Sequence, residues 1–418
     1  MEVTCTGLVA GGAGIARDGD GRIVFIRAAL PGERVRVAIT DRRKDFSRAD
    51  VVSVIDSSPN RVVPRCPHVA DGCGGCDWQH VAVGAQPGLK AMIVVDALRR
   101  LGHVANAADL VVAGPPMGVD GFRTTVRAVV QSGRAGYRKV ASNEPVAVRA
   151  CLVAHPRLEA MLVAGDWGGA REVTLRTGAA TGETLALVDP DASDVRLPDL
   201  VDVADGVDNV DDVVVVGLDE VRAGREAWFH EIVADVRFRV SATSFFQTQR
   251  EGAEALVSAV DAAAGEGDVL FDLYGGVGLF GATVGARYPL VVSVERHGSA
   301  TADAVHNLRR HRNAKAVGSD VERWRPQPEL LGPDRRVVVA DPARAGLGRR
   351  GVDTVLACEP ERVVLVSCDA AALGRDAGLL AAAGYALRTA HLIDVFPHTA
   401  HVEVVSRFER VSDSTHRH

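Results

Sequence analysis

The chain has 418 residues, of which 47% are hydrophobic and 24% charged, a composition ordinary for a globular protein able to bury a core, and its length suggests roughly two to three domains. The formal net charge of -6 argues against a generic nucleic-acid coat, and no apolar run is long enough to span a bilayer. With no basic-then-apolar segment after Met1, a soluble, cytoplasmic, monomeric protein without a membrane partner is expected.

The charge is unevenly spread. Residues 1–150 hold 20 Lys and Arg against 14 Asp and Glu, whereas the remainder holds 28 against 40, so the first third is the part suited to phosphate contacts. Only four of the 48 basic residues are lysine, and in so arginine-rich a chain a single arginine argues little. Residues 3–55 alternate like short strands, Val3 to Val9, Gly21 to Ile26, Glu33 to Ile39 and Ala49 to Ile55. This spacing suggests a small oligonucleotide-binding-type β-barrel with Arg42, Arg43, Lys44 and Arg48 on one connection, and the segment resembles the TRAM domain of certain RNA-modifying enzymes.

Cys66, Cys73 and Cys76 follow in a glycine-rich run, a spacing that reads as metal or iron–sulfur ligation before disulfides. A fourth ligand is needed; Cys151 is the best remaining thiol, and His68 is the competitor that would favour zinc. Residues 86–102 carry Leu89, Ile93, Ala97, Leu98 and Leu101 at helical spacing, an amphipathic helix packed on a core. Between Asp189 and Glu220 there are 11 acidic residues and one basic, expected to form a solvated, loop-rich face turned away from nucleic acid.

From about residue 241 strands alternate with helices, as in a mostly parallel sheet. The strand Val269 to Tyr274 runs into Gly275-Gly276-Val277-Gly278-Leu279-Phe280-Gly281, a G-x-G-x-x-G turn opening a helix. Later strands end in Glu295, placed for ribose hydroxyls, in Ser319-Asp320, and in Asp341. NAD, FAD and S-adenosylmethionine all use such a crevice. The fifth strand, Val363 to Val366, ends in Ser367-Cys368-Asp369 before an Ala-rich helix. A thiol at that place lies where open α/β sheets bind ligands, beside a helix N-terminus that favours a thiolate. A strand-end cysteine after a cofactor turn, preceded by RNA-like equipment, fits methyl transfer better than hydride transfer.

Five stretches then carry a resemblance over nearly the whole chain: Ser244-Phe245-Phe246-Gln247, Asp272 to Gly278, Asp341-Pro342-Ala343-Arg344-Ala345-Gly346, Ser367-Cys368, and Phe396-Pro397-His398-Thr399-Ala400-His401-Val402-Glu403. In that order they resemble the S-adenosylmethionine-dependent RNA uracil-5-methyltransferases, the tRNA and rRNA 5-methyluridine enzymes. The resemblance implies a multidomain α/β protein: an OB-like TRAM barrel (1–58), a mixed central domain (59–240) and a Rossmann-like class I methyltransferase domain (241–418), on which helix 86–102 can pack. It implies S-adenosylmethionine at Gln247, Tyr274, Gly276, Glu295, Asp320 and Asp341, Cys368 as nucleophile, Glu403 as base, and a 4Fe-4S cluster on Cys66, Cys73, Cys76 and Cys151. The expected partner is structured RNA, 23S rRNA before tRNA. A nucleotide-dependent iron–sulfur oxidoreductase and a non-catalytic RNA-binding protein are the rival readings.

The family's residue types suit the chemistry. Carbon 5 of uracil is a weak nucleophile until a thiolate adds at carbon 6, and a base must afterwards remove the carbon 5 proton. The chain departs from the family pattern in having Asp369-Ala370 after the cysteine in place of Asn-Pro, Gln249 in place of Asn, Gly275 and Leu279 in the cofactor turn, and one extra residue in the cysteine run. The Asp369 carboxylate is expected to cap the following helix and to oppose thiolate formation.

Overall fold

The computed structural model describes residues 1–198, 213–331 and 335–411. The acidic run at 199–212, the centre of the stretch expected to face away from nucleic acid, lies outside the described residues. No described helix is long and apolar enough to cross a membrane. The chain divides into two compact units, one built from Met1–Arg65, Asp77–Pro116 and Asp341–His418, the other from Cys66–Cys76 and Met117–Ala340.

In the first unit the N-terminal strands form a six-stranded sheet in the order Glu2–Thr4, Arg34–Arg42, Phe46–Asp56, Ile23–Arg27, Gly14–Arg17, Gly7–Leu8. Alternate residues, among them Val3, Val24, Ile26, Val35, Val37 and Ala49, close a small core, as the two-residue period requires. The expected first strand is broken in two at Cys5, and Gly14–Arg17 is an additional strand. Both ends of that strand order belong to the one segment 2–8: the Cys5 amide donates to the Glu33 carbonyl at 2.9 Å, beside Arg34–Arg42, and the Thr6 amide donates to the Ile15 carbonyl of Gly14–Arg17 at 2.8 Å, so the broken strand bridges the two sides of the sheet. Arg42, Arg43, Lys44 and Arg48 are exposed on and beside the connection between the two longest strands.

A second sheet of this unit runs Arg362–Ser367, Val404–Arg410, Tyr385–Leu392, Val111–Ala113. Val363, Val364, Leu365 and Val366 are fully buried, which explains a strand apolar on both faces. Helix Gln86–Arg100 packs on helix Ala370–Ala382 through small residues: a Cβ on Gly374 would lie 2.6 Å from the Ala97 carbonyl, and one on Gly102 would lie 2.9 Å from the Gly374 carbonyl.

The same helix braces the loop that leads to Glu403. Lys90, fully buried on the apolar stripe, donates to Asp394 Oδ1 at 2.5 Å and to the Phe396 carbonyl at 2.9 Å. Gln86 Oε1 accepts from the His398 amide at 2.7 Å and Asp77 Oδ1 from the Ala400 amide at 3.0 Å, while the Trp78 amide donates to the His398 carbonyl at 2.9 Å. Gly12, at φ +78°, fits beneath this loop because a Cβ there would come within 2.2 Å of Ala400 Cβ.

In the second unit a six-stranded sheet runs Pro145–Ala147, Arg134–Arg138, Thr125–Gln131, Glu172–Thr177, Thr184–Asp189, Val213–Gly217, antiparallel except for its last pair. Helix Pro156–Ala164 and Trp167 fill its core. A hairpin, Trp228–Val233 with Val236–Ser241, leads to four parallel strands ordered Ala314–Gly318, Leu290–Glu295, Val269–Leu273, Arg336–Ala340.

Breaking a buried ion pair strands a charge in a medium that cannot solvate it, at a cost of about 3–5 kcal/mol, whereas replacing both partners by apolar groups is close to neutral. Lys90→Met is therefore expected to lower stability by about that amount, and Lys90→Met with Asp394→Leu to recover most of it. Chemical denaturation of the three proteins checks this; equal midpoints for the parent and Lys90→Met would refute the brace.

Candidate active site

The strand Arg362–Ser367 pairs antiparallel with Val404–Arg410 so that Ser367 stands opposite Val404. The next residue beyond each, Cys368 on one side and Glu403 on the other, therefore leaves the same end of the pair. Cys368 is half-buried and Glu403 is 3% exposed, so Glu403 is no surface carboxylate. Burial and the Asp341 charge hold the Glu403 carboxyl well above the usual carboxylate range. Burial, and then the charges of Glu403 and Asp341, push the Cys368 thiol up to about 11, while Arg344 acts in the opposite direction. The helix N-terminus alone does not make a thiolate here: burial and two carboxylates outweigh it, and the resting thiol is protonated at neutral pH. Asp369 caps helix Ala370–Ala382, accepting from the Ala372 amide at 2.8 Å, and the carboxylates that act on the thiol are those brought in from other strand ends.

In the second unit Tyr274, Gly276, Glu295 and Asp320 stand at the carboxyl ends of three neighbouring parallel strands. Gly276, at φ +55°, donates its amide to Glu295 Oε2 at 3.1 Å, and the His297 amide donates to Oε1 at 2.7 Å. Tyr274 donates its hydroxyl to Glu322 Oε1 at 3.2 Å, and the Glu322 amide donates to Asp320 Oδ1 at 3.1 Å, so Glu322 links the two. Gly275 is required by its neighbours: a Cβ would lie 2.1 Å from Ser293 Oγ and 2.8 Å from Asp272 Oδ2. Asp272 is buried, pushed up to about 7 mainly by that burial, and its Oδ1 has no partner among the described residues.

Gln247 is half-buried in a turn held by the Asp303 carboxylate, which accepts from the Ser241 amide at 2.8 Å and from Ser244 Oγ at 2.7 Å. None of the hydrogen bonds among the described residues joins Gln247 to Glu295 or Asp320. Asp341 belongs to the first unit, where it acts on Cys368 and Glu403. Sequence reasoning missed Lys90, Asp394, Asp272, Ser293 and Glu322. Lys90 left a signal, a lysine on an apolar helix stripe in a chain with only four of them, and Asp272 opens a stretch that carries the resemblance.

The cysteines Cys66, Cys73, Cys76 and Cys151 all belong to the second unit, and none is joined in a disulfide among the described residues. Burial, and then the charges of Cys66 and Cys151, raise the Cys73 thiol; Cys76 packs against the core containing Cys151, and Tyr137 Oη lies 3.5 Å from Cys151 Sγ. Among the described residues no group of three or more His, Cys, Asp or Glu side chains stands in ligating geometry, so these thiols are gathered without being arrayed around a centre. His68, the zinc alternative, has both ring nitrogens engaged: Nδ1 lies 2.9 Å from Asp71 Oδ2, and Nε2 accepts from the Arg149 amide at 3.0 Å.

The TRAM domain family profile matches residues 1–52. A Streptomyces avermitilis protein named an uncharacterized RNA methyltransferase is 33% identical, with 98% of each chain covered. A Corynebacterium efficiens protein of the same description is 35% identical over 96% of this chain and 93% of its own. The chain belongs to this family of RNA methyltransferases. In fold it matches the Pyrococcus abyssi tRNA (uracil-54, C5)-methyltransferase, solved with S-adenosyl-L-homocysteine, at a TM-score of 0.70 and 23% identity over 98% of this chain and all of that one.

Because the thiol sits at about 11, alkylation of Cys368 by iodoacetamide should accelerate about tenfold per pH unit from pH 7 to 10 and level off above about 11. Glu403→Gln should move that profile to lower pH and Arg344→Gln to higher pH. Mass spectrometry of the Cys368 peptide reads the rates, and a plateau below pH 8 in the parent protein would contradict the assignment.

Proposed function

We propose that this protein transfers a methyl group from S-adenosylmethionine to carbon 5 of a uridine in structured RNA through a covalent adduct on Cys368. The observation that carries the reading is the Ser367 to Val404 pairing, which delivers a thiol and a buried carboxyl side by side. The name of the Pyrococcus abyssi structure supports the choice of uracil. Ribosomal RNA, 23S in particular, is the favoured substrate because the cluster-bearing branch the sequence resembles acts there. The exposed arginines and Lys44 of the TRAM segment suit contacts to its phosphates.

Cys368 attacks carbon 6 of the uracil, forming the S–C6 bond and moving an electron pair to the O4 oxygen. The thiol proton passes to the Asp341 and Glu403 pair and from it to O4, since two carboxylates this close hold one negative charge more readily than two. S-adenosylmethionine, when bound, supplies an electrophilic methyl group for carbon 5. As methyl transfer re-forms the C4 carbonyl, the O4 proton leaves to solvent; Glu403, ionised since it gave that proton up, removes the carbon 5 proton, the C5=C6 bond re-forms, and the thiolate leaves and takes a proton back from the carboxyl pair. A carboxyl held above its ordinary range suits that task, being a stronger base than an exposed glutamate. The target base must also be turned out of its stack to reach Cys368.

The residues of the second unit fit the cofactor. Each Glu295 oxygen accepts one amide and keeps a lone pair for a ribose hydroxyl, and Tyr274, Gly276 and Asp320 stand at the adjacent strand ends, with Gln247 of the same unit in the proposed set. For the metal group, four gathered thiols are the donor set of a 4Fe-4S cluster, which would tie the run 66–76 to Cys151.

Cys368→Ala should abolish methyl transfer, whereas Glu403→Gln should accumulate a protein–RNA adduct that survives a denaturing gel with labelled RNA and S-adenosylmethionine. Normal turnover by Cys368→Ala would end the covalent mechanism. Anaerobically purified protein should contain about four iron and four sulfide per chain, lost in Cys151→Ala. One zinc without iron or sulfide would remove the cluster.

A further inference from the structure

The second unit carries a cavity of about 360 Å³ between its hairpin and helix Gly298–Leu308, lined by His230, Arg237, His306, Arg309 and Arg310 among others. Its walls are fixed. Asn307 Oδ1 accepts from the Arg239 amide at 2.9 Å, and its Nδ2 donates to the carbonyls of Arg239 and Val277, pinning hairpin to helix. Asp303, buried on the same helix, accepts from Arg239 Nε and Ser241 as well.

The charge balance in the cavity is positive. Glu183 lies 2.8 Å from the His230 ring and 2.6 Å from the Arg237 guanidinium, and so offsets one cation. Arg309 donates to the His306 carbonyl at 2.8 Å, covering the last turn of the helix, and neither it nor Arg310 pairs with a carboxylate among the described residues. Three guanidiniums against one carboxylate leave an excess of two charges, larger than the roughly half charge of the helix C-terminus. His306 responds to this field: burial, and then the charges of Arg309, Arg239 and His230, hold it below the ordinary imidazole range. In an arginine-rich chain exposed arginines alone would mean little. Arg309 and Arg310 converge with Arg237 on a concave, braced pocket, and neither has a carboxylate partner among the described residues.

The cavity sits at the carboxyl end of helix Gly298–Leu308, where Asn307 also holds the Val277 carbonyl of the glycine-rich turn at 2.9 Å. We propose that this cavity is an anion subsite that takes a phosphodiester of the substrate RNA, a proposal that rests on the chain's acting on RNA. Arg309 and Arg310 supply the contacts, and Arg237, set by Glu183, closes the third side.

The test is the salt dependence of RNA binding by the full chain, with labelled 23S rRNA domain transcripts and tRNA as probes. In Arg309→Gln with Arg310→Gln, both exposed positions, the slope of log K against log salt should become shallower by roughly 0.7, the effect of one lost phosphate contact. The melting temperature and S-adenosylmethionine affinity should not change. An unchanged slope for every RNA would overturn the subsite. Pyrophosphate bound by the parent but not by the double variant, with RNA slopes unchanged, would reassign the cavity to a free phosphoryl ligand and equally overturn it. Because no methylation is measured, a parent enzyme that failed to methylate uridine would defeat the reaction proposed above while a shallower slope still supported the subsite.

Discussion

The antiparallel pairing of Val404–Arg410 with Arg362–Ser367 is the contact on which the candidate site depends. A sheet built only of parallel strands with helical crossovers would present Cys368 at one strand end and would have no neighbour delivering a second side chain at the same level. The reversed strand arrives from the opposite direction, so the residue before its start, Glu403, meets the residue after the other strand's end. A one-residue slip of register would turn every side chain of the strand to the other face, and the buried Val404, Val405 and Phe408 resist that slip by the burial they would lose.

What this pairing brings together is electrostatically demanding. Two carboxyls and a thiol in a half-buried site do not readily all ionise, and the result is a thiol that holds its proton and a Glu403 carboxyl shifted upward. Such a site holds its protons until a substrate gives the charge somewhere to go. The uracil O4 oxygen is such a place in the proposed reaction, and Arg344 lends it further positive potential. The loop that ends in Glu403 is held from the other side by Lys90, Gln86 and Asp77, so the orientation of the base depends on a helix about 300 residues earlier in the chain.

The gathered cysteines present a different kind of problem. Cys66, Cys73 and Cys76 come close to Cys151 through the fold of the second unit, without taking up ligating positions. His68 is occupied by Asp71 and the Arg149 amide and serves the loop as a structural clasp.

Much of this was legible in the sequence because it is local. The two-residue period of the N-terminal strands, the strand, turn and helix around Gly276, the apolar run before Cys368 and the close spacing of three cysteines all follow from steric and solvation rules that act over a few residues. Other features needed the tertiary structure. The break at Cys5, the additional strand Gly14–Arg17 and the two partners of segment 2–8 depend on which strands meet. The thiol's raised pKa depends on Glu403 and Asp341, which are remote from it in sequence, while the adjacent Asp369, the residue that drew attention in the sequence, is spent on a helix cap. Lys90 read as part of a helix, and only its partner Asp394 made it a buried charge. Composition and periodicity determined which segments form strands and helices and where a nucleophile could sit. Its protonation, its partner and the orientation of that partner were decided by long-range packing, because charges act through space and a linear sequence does not say which ends of the chain will meet.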